Sequence, residues 1–458
     1  MSEQFFISNI LNFAPNSGNG HPADLGEIVG HDLGDSTDIY QKVGKAHTDW
    51  KKIGQIDSEG KETTAEELIE YSMFGNSTSS FGGSITNCVT YDDNLQSIVD
   101  EAKNRPATTS FSTGDTLALQ AAIDALSENG VLEIQTNDTY GEIILPVTKN
   151  IVIRAGQGFN PIFTGNGAMA FLNGAEKQFL IGLHFLNCTT PSSNVKGGCL
   201  LYNDNHTITK DIYISDCRFE KSTGSAVLLC YHQDSYTNNY QLNELSENIN
   251  FLDCDFIRAG TDPVEGAANH LRGFNGVTIR RCFFDAGDGS DVAWGHDGKM
   301  RGTNLHACLN IRLQDTKALN STINGGEGFK FDMLNASTAP FQNTGIVSRC
   351  YAENCLEGFD IDDQSDISLT DCIAFNCVEG FVMSKVTGSG GFEKCLAMKC
   401  GESFEIGSAV VPENVNLKCN LSVDSTIADF VLKNSMPLDV TNKTGTRDCL
   451  YSLFLRTL

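Results

Sequence analysis

Four short phrases hold most of the candidate chemistry in this 458-residue chain. They read E-G-F-K-F-D from Glu327, E-G-F-D-I-D-D from Glu357, E-G-F-V-M-S from Glu379 and E-S-F-E-I-G from Glu402. In a strand, alternate side chains share a face. If Phe329, Phe359, Phe381 and Phe404 point inward, then Lys330, Asp360, Val382 and Glu405 point outward, and so do Asp332, Asp362, Ser384 and Gly407. Stacked phrases would bring Lys330 to about 4.8 Å from Asp360 at the backbone, with Asp360 and Asp362 roughly 6.5–7 Å apart along one strand. Carboxylates about 5–5.5 Å apart suit glycoside hydrolysis with retention, and about 6.5–9.5 Å suits inversion. Asp332, Asp360 and Asp362 offer several such pairs. In the other chemistry Lys330 is a base that removes the proton beside a uronic-acid carboxylate. Calcium on Asp360, Asp362 and Asp363 then offsets the substrate's charge, and only this lyase reading calls for a cofactor.

Further candidates flank these rungs. Glu327 sits at the turn as a substrate contact. D-A-G-D-G-S-D-V-A-W-G-H-D-G-K, from Asp285 to Lys299, adds more acids and places His296 as a second contact. Y-H-Q-D-S-Y-T-N-N-Y-Q interrupts the strand rhythm with Tyr231, His232, Tyr236 and Tyr240, rings that can stack on or hydrogen-bond sugars. Tyr213 is another outward aromatic, whereas the register of Trp294 suits packing. Aspartate and glycine are also ordinary turn residues, so a single acid here needs no function. A crowd of acids with a lysine inside it is different, because like charges on adjacent strands repel unless a cation or a proton relieves them.

The elements that position these residues are short strands repeated at coil length. N-I-V-I-R-A at Asn150, K-D-I-Y-I-S-D-C-R-F at Lys210, E-N-I-N-F-L-D-C-D-F at Glu247 and D-I-S-L-T-D-C-I-A-F at Asp366 alternate apolar and polar residues. Cys350, Cys372, Cys395 and Cys419 fall 22, 23 and 24 residues apart, and Cys355, Cys377 and Cys400 repeat the first two intervals. With no C-x2-C pair among the sixteen cysteines, one cysteine per coil reads as an internal stack of free thiols rather than zinc sites or disulfides. A repeat of this length without intervening helices predicts an all-β fold, a right-handed single-stranded parallel β-helix. Asp115 to Gly130 predicts the N-terminal capping helix, with Leu119, Ala122, Ile123 and Leu126 on one face, Asp115 as N-cap and Gly130 as its stop.

The stretch from Gly130 to Gly156, G-V-L-E-I-Q-T-N-D-T-Y-G-E-I-I-L-P-V-T-K-N-I-V-I-R-A-G, resembles the opening coil of the pectate-lyase superfamily. That resemblance covers most of residues 107–432 and implies the β-helix. Lysine-dependent, calcium-binding members carry D-G-F-x-x-K before an aspartate-rich coil; here Glu327 precedes the glycine and Lys330 directly follows Phe329. Residues Asp38 to Gly54, D-I-Y-Q-K-V-G-K-A-H-T-D-W-K-K-I-G, are similar to a module of bacteriophage tail fibres and tailspikes. The resemblance implies a small virion-attachment module over 1–60, contacting other tail or baseplate proteins, and a homotrimer that meets host-surface polysaccharide. A neck or linker is expected over 61–106, with amphipathic segments at Thr64–Tyr71 and Asp92–Lys103, the β-helix over 107–432, and a cap or subunit contact over 433–458.

Composition narrows the classes. A formal charge of −26, from 58 acidic and 32 basic residues, excludes a nucleic-acid backbone as partner. It also disfavours an anionic polymer unless metal ions or local basic groups intervene. No apolar run is long enough to cross a bilayer, so no membrane insertion is expected. The opening M-S-E-Q-F-F-I-S lacks a basic, then apolar, leader, which predicts synthesis in a cytoplasm; the tail-module resemblance implies that this is the host's and that the protein resides in a virion tail. The alternative is an adhesive or structural tail protein without enzymatic activity.

Overall fold

A computed structural model describes residues 10–11, 28–32, 36–42, 50–57 and 89–433, the last span with breaks at 147–148, 167–169, 173–175, 190–200, 204–207, 223–226, 231–244, 259–266, 288–300, 307, 323–325, 333–342, 362–365, 385–389, 408–415, 419 and 424. The chain divides into two compact units, Met1–Gly83 and Ser84–Leu458. In the first, Ser36–Lys42 pairs antiparallel with both Ile28–Asp32 and Trp50–Asp57, and Ile10–Leu11 adds a parallel edge. The motif read between Asp38 and Gly54 is therefore a two-stranded ribbon within a four-stranded sheet.

The second unit is a right-handed parallel β-helix. Each full coil contributes one strand to each of three sheets, as in Leu309–Gln314, Lys317–Leu319 and Glu327–Asp332. We number the sheets 1, 2 and 3 in that order; among the described residues they hold 12, 11 and 11 strands. Every strand pair in them is parallel, and coil follows coil without a slip in the order.

The inward rows explain why the E-G-F phrase begins where it does. In sheet 2, Tyr140, Phe163, Phe185, Phe219, Phe256 and Phe284 form a column of rings 4.5–5.5 Å apart. One coil later the column becomes Ala318, Ala352, Ala374 and Ala397, all buried. In that same coil, the sheet 3 row that earlier holds buried Val227 and Asn269 reaches Phe329 and continues with Phe359, Phe381 and Phe404 at 4.9–5.0 Å. Large residues thus move from one wall to the other, and the cross-section keeps a constant filling. The glycine of each phrase is set by the same stacking. A Cβ on Gly358 would lie 2.6 Å from the Gly380 carbonyl oxygen, and one on Gly328 would lie 2.8 Å from that of Gly358. Only a residue without a side chain allows that approach.

The bends carry two ladders. Between sheets 1 and 2 the residues Asp216, Asp253, Arg281, Asp315, Arg349, Asp371 and Lys394 all take the left-handed conformation, with φ between 51° and 55°. Their charges largely alternate along the axis. Arg281 donates to both oxygens of Asp253 at 2.6 and 2.7 Å, and Arg349 to both of Asp315 at 2.7 and 2.9 Å. Forked guanidinium–carboxylate bonds of this kind offset the strain of αL backbone in residues with a Cβ. Between sheets 2 and 3, Asn320, Asn354 and Asn376 also sit at positive φ, and each amide nitrogen donates one coil back, to Asp285, Asn320 and Asn354 in turn.

Behind the bends lie the cysteines. The ten whose side chains are described are free and buried; Cys419 lies outside the described residues. They give their S–H to carbonyls, as Cys254 does to Leu252 and across the coil to Ile214. Burial pushes the Cys217 thiol up to about 12 and holds that of Cys254 well above its ordinary range. Two results are expected. In native protein without reductant these ten thiols should resist a maleimide and react once the chain is unfolded. Above about pH 8.5 the unfolded chain releases thiol protons that the folded chain keeps, so the folded state binds more protons and stability declines as pH rises. A melting temperature that stays level through the alkaline range would contradict buried thiols.

Two helices frame the first coils. Helix α1 (Val89–Asn104) packs on the outward face of sheet 1, where Ala102 joins Val131, Val152, Phe179 and Ile181 in a cluster apart from the main core. Arg154 donates to the Lys103 and Arg105 carbonyls at 2.6 and 2.8 Å, holding the helix end. Lys103 reaches Asp216 at 2.7 Å, and Gln96 accepts from Arg281 at 2.7 Å. The segment expected as part of a neck, Asp92–Lys103, is thus a helix laid on the solenoid. Helix α2 (Thr116–Ala125) caps the core with Leu119 and Ile123, and Asp115 accepts from the Leu117 and Ala118 amides. It ends at Ala125, where Leu126 turns extended, rather than running to Gly130. Among the described residues no helix is long and apolar enough to cross a membrane.

Candidate functional site

The E-G-F phrases are consecutive strands of sheet 3 in unbroken register. Glu327, Glu357, Glu379 and Glu402 form one row, and Lys330, Asp360, Val382 and Glu405 another. Phenylalanines between them face the core, so the second row lies on the outward side. Outward does not mean exposed. Glu327 is 1 %, Asp360 2 % and Lys330 5 % accessible. Lys330 Nζ donates to Glu327 Oε1 at 3.2 Å and makes a closer contact with Asp360 Oδ2. Carboxylate oxygens of Glu327, Glu357 and Asp360 lie within 4.8 Å of one another, and so do those of Glu379, Glu402 and Glu405.

This arrangement answers the repulsion expected of stacked acids. One ammonium shared by two buried carboxylates offsets one of the three negative charges of the first group. Held that way, Lys330 is enclosed by two carboxylates rather than open to a substrate. Glu357, Glu379 and Glu402 are the half-buried members through which the rungs meet solvent. Either group of three carboxylates is close enough to share one cation, but in the first the positive charge is already supplied by Lys330.

The remaining sequence candidates divide clearly. Asp332 ends its strand paired with His306, and its side chain lies outside the description. Asp362, Asp363, Tyr231, His232, Tyr236, Tyr240, Trp294 and His296 lie outside the described residues. Asp285 ends the strand Phe283–Asp285, and its Oδ1 accepts from the Gly287 amide and from Asn320 Nδ2, both at 2.9 Å. Tyr213 stacks on Phe179 with ring centres 4.6 Å apart, against the cluster under α1. It is a packing residue.

Sequence reasoning passed over a groove at the bend between sheets 2 and 3. Its volume is about 430 Å³, and its walls include Asn320, Asn354, Asn376, Thr322, Leu356 and Val378. Leu356 and Val378 directly precede Glu357 and Glu379, so the groove runs along the axis beside the glutamate row. A signal existed: N-C-L-E-G-F from Asn354 and N-C-V-E-G-F from Asn376 carry amide, thiol, aliphatic and acid at fixed offsets.

No family model matches the chain, and no curated protein does. Among solved structures it is similar to the pectate lyase Pel9A at 11 % identity and a TM-score of 0.41, over 75 % of this chain and 87 % of that one. It is similar to a polygalacturonase from Erwinia carotovora ssp. carotovora at 7 % and 0.33, over 72 % of this chain and 94 % of that one. It is also similar to PfbA, a surface adhesin of Streptococcus pneumoniae, at 11 % and 0.32, over 73 % and 92 %. Likenesses this distant carry nothing about chemistry.

Proposed function

We propose that this chain is a bacteriophage tailspike-like protein whose β-helix binds a host-surface polysaccharide. The observation that carries the reading is the groove beside an in-register row of glutamates, extended along the axis as a linear polymer requires. Amides that both donate and accept, next to exposed aliphatic surface, suit a polyhydroxylated chain. A separate compact unit ahead of the solenoid supports a virion-attachment role for residues 1–60, with a homotrimer as the working assembly. Tyr231, His232, Tyr236, Tyr240 and His296 are further glycan contacts in this reading.

A second reading, cleavage, is favoured by one observation. The carboxylates of Glu327, Glu357 and Asp360 cluster near the spacing of about 5–5.5 Å used by retaining glycosidases, and Glu357 is accessible. Asp332 and Asp362 are further acids for that chemistry. Host capsule or lipopolysaccharide should co-sediment with the full chain. New reducing ends would mark hydrolysis, an unsaturated uronide chromophore would mark elimination, and neither would leave an adhesin. If Glu357 is catalytic, Glu357→Gln should cut the rate by orders of magnitude with little change in melting temperature. Failure to bind any host-surface polysaccharide would sink the proposal.

A further inference from the structure

We infer that the groove accepts a polysaccharide whose repeat is uncharged or amine-bearing and rejects uronic-acid polymers. The inference rests on the polysaccharide reading above and adds the class of substrate. It follows from the placement of charge. Among the described residues, the walls of the groove carry no ionisable group other than the buried Cys355 thiol. Beside it, among the described side chains, the two rows of sheet 3 hold six acids, Glu327, Glu357, Asp360, Glu379, Glu402 and Glu405, against one cation, Lys330. That cation is already engaged by Glu327 and Asp360. A carboxylate on every sugar would be drawn past Glu357 and Glu379, half-buried acids that directly follow the groove residues Leu356 and Val378, in a chain of net charge −26. Fields of one sign along a groove favour the opposite charge and oppose their own.

The remaining contacts suit a neutral ring. Asn320, Asn354 and Asn376 spend one N–H each on the ladder, which leaves a second N–H and a lone pair for hydroxyls. Leu356 and Val378, the latter 51 % exposed, offer flat aliphatic surface to the C–H faces of a sugar. Reaction type follows as well. Elimination needs a proton made acidic by a neighbouring carboxylate, which a neutral sugar lacks. Any cleavage in this groove is therefore hydrolysis, with water supplying hydrogen to the leaving oxygen and hydroxyl to the anomeric carbon.

The test is the full chain on an array of bacterial capsular and O-antigen polysaccharides, with neutral, amino-sugar and uronate-bearing repeats all represented. Binding is expected among neutral or amine-bearing repeats, and Val378→Trp, which fills the groove from an exposed position, should weaken it at least tenfold. Combining Glu357→Gln with Glu379→Gln should raise affinity for uronate polymers. Binding confined to uronate repeats would overturn the inference and leave polysaccharide binding intact. Unchanged affinity in Val378→Trp would overturn the groove as the track, and an array without any hit would overturn both readings.

Discussion

Lys330→Ala is expected to destabilise the rungs of sheet 3 by about 3–5 kcal/mol, because it leaves a buried charge without its partner. Glu327 and Asp360 are 1 % and 2 % exposed, so water cannot replace the ammonium cheaply. Asp360→Asn added to Lys330→Ala should recover part of the loss, since it removes one of the two stranded charges; the non-additivity measures the pair. A solenoid unfolds in segments as well as globally. Amide hydrogen exchange over residues 327–361 is therefore the sharper readout, beside denaturant titration. Protection within a factor of a few of the parent protein would mean that the ion pairs are solvated, and the buried rung would be wrong.

Phe359→Ala should cost a similar amount, about 3–5 kcal/mol, through a cavity rather than a charge. The ring lies between Phe329 and Phe381, with centres 5.0 and 4.9 Å away, and the facing wall of its coil is Ala352. Neither neighbour can move into the space, because the Gly328 and Gly358 backbones are already in close contact with the next coil. Phe359→Leu should recover much of the loss. Val378→Ala, at an exposed position on the next coil, should stay within about 0.5 kcal/mol of the parent. Equal effects at Phe359 and Val378 in thermal denaturation would argue against a stacked aromatic column.

The architecture was legible in the sequence because a β-helix writes its core locally. Alternation within each strand and one cysteine per coil repeat at the coil length, and the solenoid stacks each repeat on its own copy. The pairing of Lys330 with Asp360 could be read from the same phase, since the two phrases sit 30 residues apart at matching positions. The αL charge ladder also leaves a trace in the sequence. Aspartate, arginine or lysine stands directly before Cys217, Cys254, Cys282, Cys350, Cys372 and Cys395.

Accessibility was decided only by the tertiary structure. Alternation distinguishes inward from outward, but whether an outward side chain meets water depends on what lies across it, often from distant sequence. Thus α1, which read as part of a neck, covers the outward face of sheet 1 and turns Tyr213 into a packing residue. Likewise Lys330 became the buried partner of two carboxylates rather than a free base. The groove arises where amides and aliphatics from successive bends line up along the axis. Period and residue type belong to the chain one coil at a time, whereas burial and charge pairing belong to the stack.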